Sequence, residues 1–140
     1  MIKLVLVCHG TLAEGFLKAM SLITGPQEAV TAIDLGEEDS IDELESRVET
    51  AVQSRQRGQA VLILVDLFGA SPFNVSARVA SRNEGVEVIT GVNLAILLET
   101  ATRREEITLP ELTALAREAG SSSVKVLSDL MGQGNAGEAD

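Results

Sequence analysis

The sequence predicts an α/β fold: an open, doubly wound, mainly parallel sheet of strand order 2-1-3-4, with helices on both faces and a short final edge strand. Two observations carry this. Apolar runs of strand length alternate with segments of helical period, the pattern of successive βαβ units. The two most apolar runs, residues 2–8 and 60–65, show no polar alternation. Strands buried on both faces read that way, so these two belong at the centre of the sheet.

The first strand, residues 2–8, ends against His9, the single histidine of the chain. Leu12, Phe16, Ala19, Met20 and Ile23 then recur at helical spacing until Gly25-Pro26 stops the helix. Residues 30–35 carry Thr31 and Asp34 among apolar neighbours, which places the second strand at an edge. Ser40-Ile41-Asp42-Glu43 is a capping box, and Ile41, Leu44, Val48 and Ala51 form the buried stripe of the helix it opens. The acidic remainder of that helix reads as a solvated face. The third strand, residues 60–65, runs into Asp66.

Ser71 is a favoured N-cap, and Pro72 suits a first helical position where no N–H is needed, so the third helix is expected to start there. Residues 86–90 form the fourth strand, and Gly91-Val92-Asn93 leads into a fourth helical stretch. A second capping box, Thr108 to Glu111, opens a helix through Leu112, Leu115 and Ala116 that Gly120 is expected to end. Residues 124–127 are short enough for the final edge strand. One domain, residues 1–130, is expected to be followed by a flexible tail, residues 131–140, with nothing apolar larger than Ala from Gly132 onward.

Composition narrows the function. The chain has 140 residues, 45% of them hydrophobic, and a formal charge of -10. That charge disfavours nucleic acid and anionic membrane and suits a basic protein partner. Three Phe with no Tyr or Trp leave no base-stacking platform. The longest apolar run falls far short of the roughly 20 residues that span a membrane. Met1-Ile2-Lys3 leads straight into a strand without a signal-peptide pattern, so a cytoplasmic domain is expected. Cys8 is a lone cysteine inside an apolar strand and reads as a packed thiol.

Ligands of open α/β sheets bind outside the carboxyl ends of the strands, at the point where strand order reverses. With order 2-1-3-4 that point lies between the first and third strands, where His9, Asp66 and the Ser71 helix start converge. A carboxylate on one imidazole nitrogen fixes the tautomer and leaves the other nitrogen free to attack, which suits phosphorylation of His9. The helix start at Gly69-Ala70-Ser71-Pro72 is an anion seat, with Gly69 permitting close approach and Ser71 able to donate to an oxygen. Phe68 lies between these residues and reads as an exposed anchor for a protein partner.

Serine hydrolysis fits poorly, because the residue after Ser71 is Pro72, which has no N–H for an oxyanion hole. A phospho-acceptor role for Asp66 also fits poorly, because the first strand ends in Cys8-His9 and not in a magnesium-binding acidic pair. Neither a phosphate-binding Gly-Lys loop nor a dinucleotide glycine motif is present, and no metal-ligand pattern is seen. A module that only senses a small anion, with His9 as a hydrogen-bond donor, stays open at this point.

Three ordered motifs then carry a resemblance. They are His9-Gly10-Thr11-Leu12-Ala13-Glu14-Gly15, Asp66-Leu67-Phe68-Gly69-Ala70-Ser71-Pro72-Phe73-Asn74, and Gly91-Val92-Asn93-Leu94 with Leu98-Glu99. Over residues 1–130 the chain resembles the enzyme IIA domain of the mannose family of the bacterial phosphoenolpyruvate:sugar phosphotransferase system. The resemblance implies that His9 takes a phosphoryl group from the phosphocarrier protein HPr and passes it to a IIB component. It also implies that Asp66 is the carboxylate beside it and that Ser71 sits at the phosphate. No cofactor, nucleotide or metal is implied. A homodimer through the final strand is, with the membrane components reached only through IIB. Ser71-Pro72-Phe73-Asn74 favours this branch over the related phosphotransferase subunit of dihydroxyacetone kinases.

Overall fold

The computed structural model describes residues 1–132. The elements in chain order are β1 (Lys3–His9), α1 (Leu12–Thr24), β2 (Val30–Leu35), α2 (Ile41–Gln53), β3 (Val61–Val65), α3 (Ser71–Arg82), β4 (Val86–Ile89), α4 (Leu94–Arg103) and α5 (Leu109–Ser122). The four strands are parallel throughout and lie in the order β2-β1-β3-β4, as the sequence predicts.

Alternation along the strands decides the layers. Leu4, Leu6 and Cys8 of β1 and Leu62 and Leu64 of β3 share one core with Met20 of α1, Leu97 of α4 and Leu112 of α5. Val5, Val7, Val61, Ile63 and Val65 point the other way, into a second core with Leu44 and Val48 of α2 and Val75 and Val79 of α3. Helices α1, α4 and α5 therefore cover one face, and α2 and α3 the other. Each fully buried Leu or Val contributes about 1.5–3 kcal/mol, which is why, between Lys3 at the amino end and His9 at the carboxyl end, the central runs are apolar throughout.

Both predicted N-caps form, although among the described residues neither Glu43 nor Glu111 returns a bond to the N-cap backbone N–H, so the capping boxes are only half made. The Ser40 hydroxyl accepts from the Glu43 N–H at 3.0 Å, and the Thr108 hydroxyl accepts from the Glu111 N–H at 3.3 Å while donating to Glu111 Oε1 at 2.7 Å. Helix α3 starts one residue earlier than expected, with Ala70 as N-cap and Ser71 already helical. Gly69, at φ 82°, turns the chain early enough that the Ala70 carbonyl accepts the first helical bond, from the Asn74 N–H at 3.0 Å. Helix α5 runs past Gly120 to Ser122. Gly120 serves packing there, since a Cβ would lie 2.9 Å from Ile96 Cδ1.

The expected edge strand at residues 124–127 is absent from the single chain. Residues 124–126 have no regular structure, and helix occupies residues 127–132. A strand needs a neighbouring backbone for its hydrogen bonds. This segment leaves the sheet altogether, with Val124 77% and Leu127 73% exposed. Of the expected tail, residues 133–140 lie outside the described residues.

Two buried cations brace the framework. Lys3 Nζ donates to the Ala51 carbonyl and to Ser54 Oγ, each at 2.7 Å, tying β1 to the end of α2. The Arg104 guanidinium donates to the carbonyls of Ala101, Ile2, Ala29 and Glu28, closing the amino edge of the sheet. Burial pushes the pKa of both groups down. Among the described residues no helix is long and apolar enough to cross a membrane.

Candidate active site

Strands β1 and β3 are neighbours with Val7 opposite Val65, so the residues that follow emerge side by side at the carboxyl edge. His9 Nδ1 lies 2.9 Å from Asp66 Oδ2, and the His9 backbone N–H donates to the same oxygen at 2.9 Å. An ionised carboxylate only accepts, so Nδ1 carries the hydrogen and the lone pair of Nε2 is left bare. Among the described residues Nε2 has no hydrogen-bond partner, and the His9 side chain is 46% exposed against 11% for Asp66. Asp66 Oδ1 is buried and has no partner among the described residues, where the hydrogen bonding of this carboxylate is directed wholly at His9.

By alternation His9 shares the face of Lys3, Val5 and Val7, the face that α2 and α3 cover. The start of α3 is thus on its side of the sheet. Pro72 has no N–H, while those of Ser71 and Phe73 lie too early in the helix to have an acceptor within it. Asn74 Nδ2 donates to the Gly69 carbonyl at 3.3 Å and latches the loop. The space where a Gly69 Cβ would sit is open, so glycine is required there by its positive φ and not by crowding.

Apolar side chains flank the pair. Phe68 is 73% exposed, its ring tilted against Phe73 at a centroid distance of 4.9 Å, and Leu67 and Leu12 are exposed as well. The expectation of a surface-facing Phe68 therefore agrees with its position. His9 lines neither of two larger cavities: one of about 550 Å³ runs beside β4 and reaches Phe68 and Phe73, and another of about 560 Å³ sits at the amino edge. An imidazole that must meet a group carried by another protein needs an open surface more than an enclosure.

Two side chains here escaped the sequence reading. Asp34, used there only to place β2 at an edge, accepts from the N–H groups of Ala13 at 2.8 Å and Glu14 at 3.1 Å, capping α1 from the neighbouring strand. Its signal was available: like Asp66, it is a carboxylate near the end of an apolar run. Asn74 gave no signal beyond its place in a motif. Cys8 is fully buried, and burial, reinforced by Asp66 and Asp34, pushes its thiol up to about 12, so it is a packed thiol and no nucleophile.

A parallel α/β sheet thus presents one half-exposed imidazole, held by a carboxylate and set on the same side as an open helix terminus, an arrangement suited to a protein that carries a group on histidine. The chain belongs to the EIIA-man family, the PTS system fructose IIA component, whose model matches residues 3–117. It is 37% identical over 127 residues to the PTS system mannose-specific EIIAB component of Escherichia coli K12, covering 90% of this chain and 39% of that protein's length. It is 27% identical to the PTS system fructose-specific EIIA component of Bacillus subtilis, covering 92% of this chain and 88% of that one. Among solved structures, the EIIA component of Streptococcus agalactiae superposes with a TM-score of 0.86 at 27% identity, covering 92% of this chain and 99% of that one. The mannose/sorbose-specific IIA subunit of Enterococcus faecalis gives 0.83 at 27% identity, covering 89% and 93%.

Proposed function

We propose that this chain carries phosphoryl groups on His9 during sugar uptake, taking them from phospho-HPr and delivering them to a IIB component. The observation that carries this reading is the double acceptance by Asp66 Oδ2, which leaves His9 Nε2 bare at the carboxyl edge. Nε2 attacks phosphorus in line, the new N–P bond forming as the N–P bond of the donor phosphohistidine breaks, and the donor ring leaves with the electron pair. The Nδ1 proton stays on the ring. Asp66 stabilises the positive charge the ring acquires, a role suited to a charge-assisted hydrogen bond.

The phosphoryl oxygens meet the first N–H groups of α3, with Gly69 shaping the approach and Ser71 able to donate its hydroxyl. Phe68 anchors the protein partner beside the acceptor. Positioning and charge account for the catalysis. A second copy of the chain would complete the fold: among the described residues β4 has an unpaired outer edge, a cavity runs along it, and exposed Val124 and Val126 would fall on one face if that segment extended against it. In this reading residues 124–127 pair with the partner's β4, and the membrane components are reached through IIB alone.

Incubation with phosphoenolpyruvate, enzyme I and HPr tests the reading by mass spectrometry. One acid-labile phosphoryl group is expected, lost in His9→Ala and acquired more slowly in Ser71→Ala. A label that survives acid, or that remains in His9→Ala, would overturn it.

A further inference from the structure

Two helices begin near His9, and each has first-turn N–H groups with no acceptor inside the helix and partial positive charge at the carboxyl edge. Helix α1 starts at Leu12, just after His9, and α3 starts at Ser71, just after Asp66. Either terminus would attract a phosphate. They differ in what already occupies them.

At α1 the N-cap residue, Thr11, makes no side-chain bond. Its place is taken by Asp34, whose two carboxylate oxygens accept separately from Ala13 and Glu14, the donors a local cap would otherwise take. At α3 the N-cap is Ala70, which has no side-chain acceptor to offer. A carboxylate seated on α1 takes two of its donors and sets a negative charge against any second anion. The backbone around Asp34 is held in turn. Arg47 donates to the Asp34 carbonyl at 2.9 Å, and the Gly10 N–H, next to His9, donates to the Leu35 carbonyl at 2.9 Å.

We infer that Asp34 is a positioning residue for phosphoryl transfer: it fills the α1 terminus, so that α3 alone offers the phosphate a seat, and it fixes the His9-Gly10-Thr11 link between strand and helix. This rests on the reading of His9 as phosphoryl acceptor. Strand alternation accords with the division of labour. Asp34 lies on the face of Ala32 and α1, whereas His9 lies on the face of Val7 and α3.

Amide NMR tests the inference with inorganic phosphate as probe. In the wild-type protein phosphate leaves the Ala13 and Glu14 resonances in place. In Asp34→Ala both shift on titration, and the rate of transfer from phospho-HPr falls roughly tenfold or more. Asp34→Asn retains an acceptor for one N–H without the charge, so it preserves the fold should the alanine variant fail. It too gains a phosphate-dependent shift at Glu14, which a purely structural role would not produce. Phosphate-dependent shifts at Ala13 and Glu14 in the wild type, or none in either variant, overturn the inference. Absence of a phosphoryl label on wild-type His9 removes the transfer step itself, and with it the part given to Asp34, whatever the titration shows.

Discussion

Asp66 Oδ2 accepts two hydrogen bonds from one residue, the backbone N–H and the ring Nδ1–H of His9, each at 2.9 Å. One oxygen thereby fixes the end of β1 and the tautomer of the ring it carries. Because Oδ1 is buried without a partner, the two oxygens are not equivalent, and substitutions that treat them differently separate charge from geometry.

Asp66→Asn can place its amide oxygen at the Oδ2 position and keep both bonds, but it loses the charge and sets an NH2 group in the buried Oδ1 position without an acceptor. Phosphorylation of His9 should slow by roughly 10- to 100-fold, with a further loss in Asp66→Ala, where the tautomer is no longer fixed. Rapid-quench kinetics from phospho-HPr measures this. An unchanged rate in Asp66→Ala would remove the carboxylate from the mechanism.

Phe68→Ala should weaken docking without touching the chemistry. The expected result is a KM for phospho-HPr raised roughly tenfold at constant kcat. A fall in kcat at constant KM would instead assign Phe68 to the loop geometry that shapes the α3 terminus.

Val126→Asp puts a charge into the segment proposed to pair with a second copy. Sedimentation should find a dimer for the unaltered chain and a monomer for the variant. A dimer that persists in Val126→Asp would locate the contact elsewhere.

Cys8 couples stability to alkaline pH. Burial pushes the native thiol up to about 12, while in the unfolded chain it ionises near 9.0. Between those values the unfolded chain has given up a proton that the native chain retains, so the contribution is whole below pH 9.0 and is lost as pH rises toward 12. Urea denaturation near neutral pH and at about pH 10 should show a larger loss for the wild type than for Cys8→Val. Equal losses would mean that the native thiol ionises as readily as the unfolded one.

Much of the architecture was legible because it is written in local periodicity. Apolar runs, broken only by Lys3 at the start of the first, marked β1 and β3 as central, Ser40 and Thr108 announced α2 and α5, and His9 and Asp66 declared themselves as polar residues terminating those runs. The final strand was not legible: residues 124–127 have strand composition, but a strand forms only where another backbone accepts its hydrogen bonds. The N-cap of α3 shifted by one residue because the φ of Gly69, a loop property, decides where the helix can begin.

By itself, the sequence determined the order of the βα units, the faces they bury and the single histidine placed at a strand end, since these follow from residue type and spacing along the backbone. Which oxygen holds His9, which helix terminus Asp34 fills, and how Arg104 gathers three distant carbonyls were decided only by the tertiary structure. Each of these is a directional bond between groups far apart in the chain, and its geometry exists only once the sheet has brought the strands into register.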